Sequence, residues 1–269
     1  MQSDWLQLNI NKSELLWCAT ARRQHQLPRC PFRIGPDTII PSTAVRDLGI
    51  YTDSDLSMQT HVQRSVAGCF AVLRQLHSIC RPVPSFVYQS LSVALVLSRL
   101  DYGNATLAGL PACLLNRLQS VLNAAARSIA CLRGSEHIDA LASFHWLRAP
   151  ERIKFKLAVI IHRALRGTAP QYLLDRLQYV ADLRLPTRRR GRLRSSTSSL
   201  LDVRPSRRVT VGDCSFAAVG PRLWNSLPAD VQSALSLATF RQKLKTCLVG
   251  NHTQTLFCSC VANVVLTPL

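Results

Sequence analysis

Acidic residues are scarce in this chain: 15 Asp and Glu stand against 33 Lys and Arg, for a formal charge of +18. No two Asp are adjacent. A two-metal catalytic centre needs carboxylates converging from separate strands, and the closest spacing here is Asp53-Ser54-Asp55, with no other acid placed to complete a set. Asp55 therefore reads as an N-cap or turn residue before the next helix. The 10 Cys never form Cys-x-x-Cys, which excludes the commonest zinc and redox spacings and points to a reduced, intracellular compartment, cytoplasmic or nuclear, over a disulfide framework. No apolar run of signal length follows Asp4 and Trp5. The best membrane candidate, Val83 to Leu97, is interrupted by Pro84, Ser85, Gln89, Ser90 and Ser92 and closed by Arg99. It falls short of a span and reads as a buried core helix.

What is abundant is arginine, 28 of the 33 basic residues. Its planar fork suits phosphate, although a biased gene composition would give the same skew. A charge of this size favours a polyanionic partner such as nucleic acid. With 269 residues and 47% hydrophobic content, the chain can bury the core of one large or two modest domains. Its organising stretch is Ser98 to Leu132, two apolar helices joined by a polar turn. Leu115, Leu118, Leu122, Ala125, Ile129 and Leu132 share one helical face, with Arg117, Arg127 and Arg133 off it.

Cys30 to Tyr51 reads as two or three short strands in a hairpin arrangement: Phe32-Arg33-Ile34, Thr38-Ile39-Ile40 and Val45 to Ile50, separated by turn formers. A helix over His61 to Cys80 follows, with Val62, Val66, Phe70, Leu73 and Leu76 inward and Gln63, Arg64, Arg74 and Gln75 outward. His77 and Cys80 are assigned to core packing. Ile138 to Leu147 and Glu151 to Leu165 give two more helices split by Pro150, the second with a basic outer face of Lys154, Lys156, Arg163 and Arg166. His137, His145 and His162 are too dispersed for a zinc site and read as structural or exposed. Trp224 reads as a packing anchor. Asn251 to Leu269 lacks a helical period, and Cys247, Cys258 and Cys260 lack a fourth ligand for zinc.

Six motifs in order carry a resemblance. They are Arg99-Leu100-Asp101-Tyr102-Gly103-Asn104 with Ala108-Gly109-Leu110-Pro111, Gln119 to Arg127, His145-Trp146-Leu147 with Arg152 to Leu157, Leu165 to Leu173, Phe216 to Pro228, and the Phe240 to Leu248 helix. Together they resemble the region downstream of the catalytic domain in reverse transcriptases of LINE-type (non-LTR) retrotransposons, in particular the Jockey-like branch. Leu8-Asn9-Ile10-Asn11-Lys12-Ser13-Glu14 is similar to the segment that ends the palm of these enzymes, with Ser13 in place of the usual Thr.

The resemblance implies a mainly α chain: a short N-terminal β-hairpin region, a thumb-like helical bundle and a small C-terminal helical unit. The expected divisions are 1–56, end of palm and primer grip; 57–182, thumb-like bundle; 183–212, Arg-rich flexible arm; 213–250, C-terminal helical unit; and 251–269, a tail outside the resemblance. Lys12 becomes a weak catalytic candidate, a cation beside the departing pyrophosphate, or else a solvated loop lysine. Arg46 and Gly49 fall in the primer-gripping hairpin: Arg46 is a phosphate contact or an arginine paired with Asp47, and Gly49 a point of close backbone approach or a bulge. Arg64 and Arg74 are phosphate contacts or a solvated helix face. Arg188, Arg189, Arg190, Arg192 and Arg194 form the arm's sequence-independent contact, or a nuclear address. The expected partner is RNA or DNA, as a template-primer duplex, with no membrane and no small-molecule substrate. The intact family is an RNA-directed DNA polymerase using Mg²⁺. Without the catalytic aspartates, no metal or other cofactor is expected in this chain, nor polymerisation by it alone. The alternatives are a stand-alone basic nucleic-acid-binding protein derived from a retroelement, or a non-functional translation product.

Overall fold

The computed structural model describes residues 9, 12–35, 37–130, 140–182, 200–204 and 212–264, with side chains described up to residue 250. It is mainly helical, with 59% helix and 10% strand, and short N-terminal strand pairs precede the helices.

The N-terminal part holds three two-stranded pairings. β1 (Leu15–Leu16) runs parallel to β4 (Pro41–Ser42), β2 (Phe32–Ile34) pairs antiparallel with β3 (Asp37–Ile39), and β5 (Ala44–Asp47) with β6 (Ile50–Asp53). The expected strand over Val45 to Ile50 is thus a hairpin folded at its middle. Leu48 and Gly49 both have positive φ, +46° and +83°. That is the two-residue turn whose twist matches the flanking strands, and Gly49 permits it at the second position. Gly49 is neither a bulge nor an interior strand residue.

α1 (Gln59–Ser78) begins where the Asp53 carboxylate accepts from the Thr60 backbone N–H (3.1 Å) and the Ser57 hydroxyl (3.2 Å). Asp53, not Asp55, therefore satisfies an orphan donor of this helix start, where a negative charge is also favoured, and the Ser57 hydroxyl accepts from the Gln59 N–H. Asp55 makes the adjacent turn, accepting from the Ser57 N–H. Val62, Cys69, Leu73 and Leu76 are buried along one stripe, as periodicity requires. His77 is exposed, contrary to the core role expected of it; only Cys80 packs against the core.

α2 (Ser85–Ser92), a π-helical turn (Val93–Leu97) and α3 (Ser98–Asp101) form one nearly continuous rod. It is not a core helix buried all round. Tyr88, Ser92, Val96, Leu97 and Leu100 face inward while Phe86, Val93 and Leu95 are exposed, because only one side meets α1 and the next long helix. That helix, α4 (Ala112–Ile129), buries Leu114, Leu118, Val121, Leu122, Ala125, Ala126 and Ile129. Leu132 and Ile138 lie outside the described residues. Instead of a helix reaching Leu147, a single turn, α5 (Ala140–Ser143), is followed by His145 with φ +52°.

α6 (Ala149–Leu165) starts before Pro150, which sits in its first turn. Proline has no N–H to lose there, so it opens the helix and does not divide two helices. α6 contributes Ala149 and Ile153 to a first core shared with α1, α2 and α4. Leu157, Ala158, Val159, Ile161 and Ala164 enter a second core with Leu177, Leu201, Trp224, Val231, Phe240, Leu244 and Leu248. α7 (Gln171–Leu174), α8 (Phe216–Asn225), α9 (Ala229–Gln232) and α10 (Leu237–Val264) complete the second core's surroundings. The 213–250 segment accordingly shares its core with α6 and does not close on itself. Trp224 is buried and stacks on Phe240 at 6.1 Å, as a packing anchor.

Two further expectations are corrected. Residues 200–204, inside the 183–212 stretch read as a flexible arm, are fixed to the body. Leu201 is buried, bridges to Tyr179, and exchanges two 2.8 Å hydrogen bonds with the Asn225 carboxamide. The Asp202 N–H donates to the Gln178 carbonyl at 2.7 Å. One apolar pair, Leu200-Leu201, among arginines and serines is enough to anchor the segment once a complementary slot exists. Second, α10 continues to Val264 through sequence lacking an apolar period. Helix propagates at low cost from a packed start such as Phe240–Leu248.

Candidate nucleic-acid interface

The β5–β6 hairpin and α1 bring two of the predicted arginines together. Tyr51 on β6 lies between them: the Arg64 guanidinium stands 4.5 Å from the ring centroid and that of Arg46 5.7 Å. Arg64 also donates from Nη1 to the Tyr51 hydroxyl at 3.2 Å. A cation over an aromatic face is held without losing its outward donors. Both arginines are exposed, and no ion pair joins Arg46 to Asp47 among the described residues. The ring, not a carboxylate, orients them.

One turn along α1 from Arg64 is Gly68, over which Arg99 lies: a Cβ built on Gly68 meets Arg99 Nη1 at 3.5 Å. Arg99 is exposed and extends the row begun by Arg46 and Arg64. It is absent from the sequence-based site because its place depends on a tertiary contact, over Gly68 in the small-residue stretch Ala67-Gly68-Cys69 of α1. Arg74 is exposed farther along α1, about 15 Å from Arg64 at 1.5 Å per residue. No described acidic residue pairs with any of these four arginines.

The hairpin is seated on the helical body by the turn that joins α3 to the next 3-10 segment, Asn104–Leu107. The Tyr102 hydroxyl donates to the Leu48 carbonyl. A Cβ on Gly49 meets Tyr102 Cε1 at 3.2 Å, and one on Gly103 meets Ile50 Cδ1 at 2.6 Å, Gly103 itself having φ +65°. The close approach at Gly49 is thus taken by Tyr102. Below it, His61 is buried beside Asp53; burial lowers its pKa and the Asp53 charge partly offsets this.

Lys12 is exposed in a short turn, its N–H donating to Asn9 carbonyl at 3.0 Å. It is not among the residues brought to the arginine row. Arg188, Arg189, Arg190, Arg192 and Arg194 lie outside the described residues, as do His137 and the side chains of Cys258 and Cys260. The residues present do not fit a Mg²⁺ site: Asp53 is committed to the α1 start, and no group of three or more His, Cys, Asp or Glu among the described residues is placed to hold a metal. Among those residues no helix is long and apolar enough to cross a membrane. No protein-family model, curated protein or solved structure matches the chain.

Proposed function

We propose that this chain is the C-terminal part of a LINE-type reverse transcriptase: end of palm, thumb and downstream region. In this reading it grips a template-primer duplex through phosphates and does not polymerise by itself. The observation that carries the reading is a set of three exposed arginines: Arg46 and Arg64, both braced by Tyr51, and Arg99, which lies over Gly68 of the same helix as Arg64. Exposed guanidiniums from a hairpin and two helices suit a backbone contact, which positions a duplex without reading its sequence. The net charge of +18 supports the same partner.

Exposed apolar residues of the N-terminal strand region, Phe32, Ile34, Ile40 and Leu48, support a further packing partner for that region, as a palm would supply. A second reading is a stand-alone duplex-binding protein, favoured by the two packed cores that form around α6 from this chain alone. Reading the transcript upstream of Met1 separates them. An open frame encoding fingers and a palm with an aromatic-x-Asp-Asp strand is the expected result; stop codons immediately upstream contradict the polymerase reading. Primer extension by the purified chain is expected to be nil.

A further inference from the structure

Four separated stretches meet at one cleft that the arginine row does not use. Asp101 ends α3 and Asn104 opens the 3-10 segment after it, His145 and Trp146 come from the segment before α6, Arg152, Phe155 and Lys156 from α6, and Lys245 from α10. The cleft encloses about 450 Å³, within the range of small-ligand sites. Its charge is one-sided. Arg152 is spent on Asp101, donating from Nε at 2.8 Å and again from Nη2, which neutralises the only acid in the lining. Lys156 and Lys245, both exposed and from different helices, have no ion-pair partner among the described residues.

The walls are apolar and aromatic. Trp146, half-buried and tilted against Phe144 at 5.5 Å, and Phe155 stand with Val93, Leu97 and Leu147. Asn104 in the lining is 4% exposed; its amide nitrogen donates to Asp101 at 3.2 Å, while Oδ1 is buried without a hydrogen-bond partner among the described residues. A buried acceptor lacking a donor is uncommon. His145, in the same lining, holds φ +52°, a left-handed conformation that His adopts more readily than most side chains. Two free cations, a flat apolar wall and an unmet acceptor match three features of one nucleotide: phosphate, base face, and base N–H.

We propose that this cleft holds a single unpaired nucleotide, its phosphate between Lys156 and Lys245 and its base against Trp146. The inference rests on the nucleic-acid reading above for its source, since the same unit arrives as the overhanging end of a bound strand or as a free nucleoside monophosphate. Fluorescence anisotropy with the full chain compares a blunt duplex, the same duplex with a one-nucleotide 3′ overhang, and an abasic overhang. The overhang is expected to bind about tenfold tighter than the abasic end, as stacking of one base commonly gives. Lys156→Ala with Lys245→Ala, both at exposed positions, brings overhang affinity down to that of the blunt duplex and leaves blunt-duplex affinity in place, Trp146→Ala removes the preference for a base over an abasic end, and Arg64→Ala weakens all three duplexes and keeps their ratios. Tryptophan fluorescence of the wild type against Trp146→Phe reads binding of AMP or UMP directly, so this site is decided even if no duplex binds. A free-monophosphate response lost in Trp146→Phe supports the cleft with the free ligand as its source. Equal affinity for base and abasic ends, together with no response to either monophosphate, overturns the proposal.

Discussion

Tyr51 sets how Arg46 and Arg64 meet an anion: its ring holds both guanidiniums, and its hydroxyl takes one donor of Arg64, leaving the rest outward. Arg64→Ala is therefore expected to weaken duplex binding several-fold for all sequences alike, and to lower the slope of log affinity against log salt by about 1. A loss confined to one sequence would mean base readout instead. His162 carries the pH dependence of the second core. It is buried, stacked on Phe240 at 4.2 Å, with Nε2 3.1 Å from the Ala234 carbonyl and Nδ1 unpartnered. Burial lowers its pKa below 6.5; Arg166 adds to this, and the Ala234 hydrogen bond opposes it. The folded chain then binds fewer protons than the unfolded one. Its contribution is complete above the unfolded value and is lost as pH falls through the lowered one; His61 acts with the same sign. Melting temperature should drop on acidification below 6.5, and less steeply in His162→Phe. An identical pH profile in that variant would remove His162 from the account. At this scale the outward arginines of α1 were legible from helical period, whereas Arg99 was not, because its partner Gly68 is distant in sequence.

The β5–β6 hairpin shows what a two-residue turn costs when spelled with the wrong first residue. Leu48 is 81% exposed and adopts φ +46°, a region where a branched apolar residue gains nothing and Asn is favoured. Leu48→Asn keeps the backbone carbonyl that receives Tyr102 and should stabilise the chain by about 1 kcal/mol in chemical denaturation; destabilisation would mean that the side chain packs on something. Asn225 does the converse for residues 200–204. Asn225→Ala leaves the Leu201 N–H and carbonyl without partners and should cost about 1–3 kcal/mol, with hydrogen exchange at residues 200–204 rising well above that of α8. Exchange unchanged there would show the segment is held by Leu201 burial alone. Sequence patterning located the strands and long helices; apolar spacing alone made 45–50 one strand, where the resemblance implied the hairpin that is found, and it read Pro150 as a break. Turn geometry and cap position depend on φ values that apolar spacing does not encode.

Across the whole molecule, α6 is the shared wall of two cores, so the helical body is expected to unfold as a unit. This explains why Leu201, inside the Arg-rich stretch, and Trp224, beyond it, were separable from α6 by composition but not by packing: both reach the same cluster as Leu157 and Ile161. The basic row lies on the first core's side, formed by α1 and the hairpin it supports. Charge was readable from composition alone; the bracing of that charge by Tyr51, and the seating of the hairpin through Tyr102 and Gly103, required the fold. On the proposed reading this row grips a duplex by its phosphates. The most direct test of that reading is the affinity of the purified chain for template-primer duplexes of unrelated sequence, measured by fluorescence anisotropy across a salt series. Binding equal across sequences, falling steeply and linearly in log salt, and shallower in Arg64→Ala, is the result expected. Binding that ignores salt, or no binding at low salt by a cooperatively folded chain, contradicts it.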